Sequence, residues 1–229
     1  MSQSPVVAGL NAIQSRIGRV LKSLGFTRKG RTFRRETDEG VLQIIAIQAG
    51  PFEIGPPLPP SVSHMRPNYY GKFTINLGVF VPEIHERTNP PVGLGRVISD
   101  AHCDIRTRLG KISEGGDIWW SVLDSSEEEI EDIIALLIHV GVAFLDRFRT
   151  RDLIVSDWIA FNDGEESLSN VARLDVAMVM LARGERDQAK RLFNDHLRRC
   201  AAEDSKPHLK HHAVYVRELA DKLGLGALD

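Results

Sequence analysis

Only 2 of the 229 residues are cysteine, Cys103 and Cys200, and they stand far apart. That count and spacing fit a reducing compartment better than a disulfide framework. Long apolar runs are also missing. The nearest to membrane length, residues 130–145, is broken by Asp132, His139 and Gly141. The opening Met-Ser-Gln-Ser-Pro has no basic stretch leading into an apolar signal core. A cytoplasmic protein without membrane association is expected. Net charge is nearly absent, −2 at pH 7, which argues against a dedicated nucleic-acid binder while leaving room for a local basic patch. There is no CxxC pair, no HExxH and no Gly-rich phosphate loop, and Gly93-Leu-Gly95 lacks the strand-to-helix context of a dinucleotide fingerprint. No catalytic residue, metal or cofactor is expected on these grounds.

What is present is an uneven chain of ordinary globular composition, 42% hydrophobic and 26% charged. Residues 1–50 hold 8 Lys/Arg against 3 Asp/Glu, a balance of +5, and residues 115–166 hold 3 against 13, a balance of −10. Such asymmetry marks either solvated surface or a docking face. Ser4-Pro5 starts a helix whose stripe is Leu10, Ile13, Ile17, Leu21 and Leu24, stopped by Gly25. Residues 31–37 and 41–48 form a hairpin around Asp38-Glu39-Gly40. The second of these strands is nearly continuous in apolar residues, so it is expected inside a sheet and covered on both faces. Residues 50–70 contain six of the eleven prolines, which predicts an extended loop.

Residues 72–81 carry the clearest period-two pattern. Phe73, Ile75, Leu77, Val79 and Val81 take one face; Lys72, Thr74, Asn76, Gly78 and Phe80 take the other. Because Gly78 and Phe80 fall on the polar side, its far end is expected to be covered, leaving Lys72, Thr74 and Asn76 for display. Further strands are predicted at 103–109 and 118–123. Ser125-Ser126-Glu127-Glu128 opens a helix over 126–148. After about residue 155 only helices follow, with 174–182 and 188–200 flanking Gly184 as a hairpin and a third at 209–223. The stretch 182–193 is similar to the inter-helix turn of a tetratricopeptide unit, but a single copy does not make a solenoid. The expected fold is α+β: a mainly antiparallel sheet of about five strands packed against helices in residues 1–154, with a helical extension over 155–229.

Five segments in this order carry a family likeness: Leu21-Lys-Ser-Leu-Gly-Phe26, Lys29-Gly-Arg-Thr-Phe-Arg34, Gly71-Lys-Phe-Thr-Ile-Asn-Leu-Gly-Val-Phe80, His102-Cys-Asp-Ile-Arg-Thr-Arg-Leu-Gly110 and Trp119-Trp120. Over about residues 10–150 the chain resembles the bacterial domain-of-unknown-function family 4304. The resemblance implies one α+β domain and supplies no activity, cofactor or site residue.

The candidate binding residues follow from the strand pattern. Arg106 and Arg108 share a strand face, where two guanidiniums can grip a phosphate or carboxylate, and Lys72, Thr74 and Asn76 join them if the strands are neighbours. The competing reading is that acids such as Glu36 already neutralise them. Trp119 and Trp120 point to opposite faces, so one enters the core and the other stacks on a ligand or packs beneath the Pro-rich loop. His102 and Cys103, with His85 and Asp100, include metal-ligand types, but adjacent strand residues do not converge on one ion, and nothing marks Cys103 as a thiolate. His208 and His212 stand at i and i+4, with His211 between them, and lack further ligands. Glu127-Glu128-Glu129 complements a helix N-terminus. The leading expectation is therefore a non-enzymatic protein-binding or adaptor protein. Nucleic-acid or anion binding through the Arg/Trp face is the alternative, and an enzyme built on Cys103, His102 or the carboxylates is the third.

Overall fold

The structure is a computed structural model that describes residues 4–51, 59, 61, 68–89, 98–161, 164, 169–202 and 207–228. The strands are β1 (Thr27–Lys29), β2 (Thr32–Glu36), β3 (Leu42–Ala49), β4 (Lys72–Phe80), β5 (Ile105–Arg108) and β6 (Trp120–Ser121). The helices are α1 (Pro5–Ser23), α2 (Pro82–Thr88), α3 (Leu109–Glu114), α4 (Glu127–Leu136), α5 (Ala143–Asp146), α6 (Arg151–Phe161), α7 (Asn170–Ala182), α8 (Arg186–Ala202) and α9 (Pro207–Lys222). Contacts divide the chain into two compact units, Met1–Phe80 with Val92–Asp146, and Val81–Pro91 with Arg147–Asp229. The Pro-rich stretch and Gly93-Leu-Gly95 lie largely or wholly outside the described residues.

In the first unit the order is β1-β2-β3-β4-β5, antiparallel throughout, with β6 also paired to β4. The sheet is α+β in character, as the strand and helix patterns predict. Ser4 caps α1 by accepting from the Val7 amide at 3.3 Å, and Leu10, Ile13, Ile17 and Leu21 are buried on its inner stripe. The facing side of the sheet supplies Phe33, Ile45, Ile47, Phe73, Ile75, Leu77 and Val79, all buried. Each such side chain contributes about 1.5–3 kcal/mol when fully removed from water. Ser126 and Glu129 cap α4 reciprocally, at 3.1 and 3.3 Å, and Arg16 of α1 pairs with Glu127 and Glu131.

Several expectations need correction. The sheet of about five strands is borne out, with one arm the pattern did not give: Thr27–Lys29 pairs with β2 and is too short and too polar to show a period. The predicted strand 103–109 shrinks to Ile105–Arg108, preceded by a 3-10 turn at Asp100–His102. The strand at 118–123 is only Trp120–Ser121. The helix predicted over 126–148 opens into a π turn at Leu137–Val142 before α5. Gly141 sits in that turn, where a Cβ would lie 2.9 Å from the Leu137 side chain and 3.3 and 3.5 Å from those of Leu109 and Leu77. Pro82 does end β4, but it also stands at the first position of α2, where its missing amide costs nothing.

The second unit is helical. α7 and α8 meet through Gly184, and Leu174, Val176, Ala177, Val179, Ala189, Leu192, Phe193, Val216 and Ala220 form its core. Ionic pairs are built into it: Arg87 of α2 donates to Asp175 at 3.0 Å, and Arg151 to Glu83 at 2.7 Å. Tyr215 donates to the Arg87 carbonyl at 3.1 Å.

Candidate functional site

Register decides what shares a face. β4 and β5 place Asn76 opposite Arg108 and Gly78 opposite Arg106, while β3 adds Ala46 beside Asn76 and Gln48 beside Thr74. Lys72, Thr74, Asn76, Gly78 and Phe80 therefore share their side with Arg106 and Arg108, as the alternation predicts. Half of that side is covered. Ile44, Phe80 and Cys103 form a small apolar cluster, with Leu42 and Ile98 packed on it. Cys103 fits only because residue 78 lacks a side chain, since a Cβ there would lie 2.6 Å from its sulfur.

The uncovered end holds a concavity of about 450 Å³, lined by Gln48, Asn76, Asp100, Arg106, Arg108, Lys111 and Asp117 among others. Asn76 is its organiser. Its amide nitrogen donates to Gln48 at 2.9 Å and to Asp100 at 2.8 Å, and its carbonyl accepts from Arg108 Nε at 3.2 Å. Arg108 also pairs with Asp117 and lies over the Trp119 ring, 5.4 Å from the centroid. The Arg108 bond, followed by one from Trp119 Nε1 at 3.3 Å, holds the Asp117 carboxyl below the usual carboxylate range. Arg106 and Lys111 are different. Both are exposed and line the same concavity, and their side chains make no ion pair or hydrogen bond with a described residue.

Asp117 reaches Arg108 because the chain doubles back through α3. Gly110 allows this, since a Cβ there would lie 2.7 Å from Cβ of Ile118. Trp119 stacks on Tyr69 with centroids 4.4 Å apart, while Trp120 turns to Phe73 on the core side at 5.7 Å. The two tryptophans thus split between faces. The sequence did not single out Gln48, Lys111, Asp117 or Tyr69; only Gln48 carried a usable signal, its place in the β3 alternation.

Other candidates move away from this site. Thr74 is fully buried, and its hydroxyl has no partner among the described residues, so it is not displayed. Lys72 is exposed but sits opposite Ser121 of β6, outside the concavity. Glu36 does not neutralise either arginine; Asp117 takes Arg108. Burial pushes the Cys103 thiol far up, with Asp104 and Asp100 adding to the effect, so it carries no thiolate. His102 is spent on its own turn, accepting from the Ser99 amide at 3.1 Å. No group of three or more His, Cys, Asp or Glu side chains among the described residues is arranged to hold a metal. The side chain of His208 lies outside the described set, and His212 packs edge-on against His196 at 4.9 Å.

Residues 61–147 match the family described as Domain of unknown function (DUF4304). The matched segment carries Asn76, Arg106, Arg108, Lys111 and Asp117, whereas the similar-looking segments before residue 61 fall outside it. No curated protein matches the chain, and no solved structure does. No helix among the described residues is long and apolar enough to cross a membrane.

Proposed function

We propose that the α+β part is a non-enzymatic protein-recognition module of the cytoplasm, and that its concavity receives a carboxylate of the partner between Arg106 and Lys111. The observation that carries this reading is the contrast among three cations in one concavity. Arg108 is held by Asp117, Asn76 and Trp119, whereas Arg106 and Lys111 are unpaired. A single carboxylate suits the site better than a phosphate dianion. Arg106, Arg108 and Lys111 face Asp100 and Asp117, a balance of only +1. Nucleic-acid binding is less favoured because the Trp119 ring is already engaged by Tyr69 and Arg108 and does not offer a free platform for a base. The division into an α+β domain (1–154) and a helical extension (155–229) belongs to the same proposal. The two contact units support a bipartite chain, although their seam lies at Arg147 and Val81–Pro91 joins the second.

Calorimetric titration with acetylated acidic peptides, inorganic phosphate and a single-stranded oligonucleotide tests the reading. Acidic peptides bind, and Arg106→Gln/Lys111→Gln weakens them about tenfold or more, since a hydrogen bond to a charged group contributes about 1.5–3 kcal/mol. Equal binding by the double variant sinks the proposal. So does an oligonucleotide that binds more tightly, with affinity falling steeply in salt.

A further inference from the structure

The opposite edge of the sheet carries a second surface, independent of the site proposed above. Between α1 and the β1–β2 hairpin lies a groove of about 520 Å³, floored by Gly18, Phe26 and Phe33 and rimmed by Arg19, Lys22 and Arg28. That volume falls within the range of ligand pockets. The rim is exposed, and none of its three cationic side chains makes an ion pair or hydrogen bond with a described residue. Arg16, one turn earlier on α1, shows the contrast, because Glu127 and Glu131 already hold it.

The geometry points to a docking site for a short acidic peptide segment with one apolar anchor, its side chain in the groove and its carboxylates on Arg19, Lys22 and Arg28. Charge complementarity selects an acidic occupant, because Arg19, Lys22 and Arg28 rim the groove with no acidic side chain in its lining and repel one another until an anion is brought in. The apolar floor selects the anchor. Phe26 and Phe33 are 3% and 1% exposed, so the floor admits one small apolar contact and no stacked base, which separates this groove from a single-strand nucleic-acid surface. The Phe26 ring is further covered by the Arg35 guanidinium at 4.5 Å. With a carboxylate site at the β5 edge and this groove at the β1 edge, one sheet presents two separate docking surfaces.

Fluorescence anisotropy with labelled Asp-Glu-Leu-Glu-Glu tests the inference. Its Leu→Gly counterpart and a single-stranded oligothymidylate serve as comparisons. Arg19→Gln/Lys22→Gln/Arg28→Gln alters exposed side chains only, and circular dichroism verifies its fold. Saturable binding is expected, weaker by about tenfold in the triple variant and clearly weaker for the Leu→Gly peptide. Both the protein and its triple variant are measured in the Arg106→Gln/Lys111→Gln background, where the other proposed site is disabled, so failure here and failure at the other site are separate results. The inference is overturned by no saturation up to about 1 mM, by unchanged binding in the triple variant, by equal binding of the Leu→Gly peptide, or by tighter binding of the oligothymidylate.

Discussion

Acid should loosen the helical unit through one residue, His196. It is completely buried on α8, and neither ring nitrogen has a hydrogen-bond partner among the described residues. Burial, followed by His212, Arg173, Arg87 and Arg199, lowers its pKa from 6.5 to about 4. A group with a depressed folded-state pKa that is cationic when protonated binds more protons unfolded than folded between those two values. Stability therefore rises with pH across that window and is lost as pH falls from about 6.5 toward 4. Between pH 7.5 and pH 5 the linkage relation gives a loss of about 2 kcal/mol from this single side chain. Urea denaturation at the two pH values, compared between the wild type and His196→Phe, isolates that contribution, because other titrating groups act in both proteins. The phenylalanine variant is expected to lose about 2 kcal/mol less on acidification. An identical pH dependence in both proteins would refute the reasoning.

Three further outcomes follow from the sheet. Gly78→Ala forces a Cβ to within 2.6 Å of the Cys103 sulfur and should cost about 1–3 kcal/mol in urea denaturation; pairing it with Cys103→Gly should recover part of the loss, whereas strictly additive effects would show that the two residues do not compete for space. The Cys103 thiol, buried and pushed upward in pKa, should resist a thiol reagent in the folded protein at pH 8 and react once urea is added. Fast reaction under native conditions would contradict the packing over β4. Asp117→Asn removes the carboxylate that Arg108 and Trp119 share. It should leave stability within about 1 kcal/mol while changing Trp119 emission, and an unchanged spectrum would argue against the Arg108–Trp119 contact.

The sheet was legible because its signals are local. The alternation at 72–81 and the nearly continuous apolar run at 41–48 encode faces, and the strands form at Lys72–Phe80 and Leu42–Ala49 with core side chains inward. Short elements escaped for the same reason. Three residues at Thr27–Lys29 and two at Trp120–Ser121 contain too few positions to show a period, and tertiary pairing alone defines them. The site was half legible. Parity put Arg106, Arg108 and Asn76 on one face, but the identity of the neutralising acid depended on a chain reversal at Gly110 that brings Asp117 back to Arg108. Burial of Thr74 could not be read from its alternation, since a polar residue on the less apolar side of a strand carries no information about what lies over it.

The central claim is that Arg106 and Lys111 are available cations while Arg108 is structural. It is tested most directly by following arginine Nε–Hε resonances during NMR titration with an acetylated Glu-Glu dipeptide amide. The account predicts a saturable shift of the Arg106 signal, abolished by Lys111→Gln or greatly weakened by it, with the Arg108 signal holding its position beside Asp117. A stationary Arg106 signal, or an Arg108 signal that leaves Asp117 for the ligand, would contradict it.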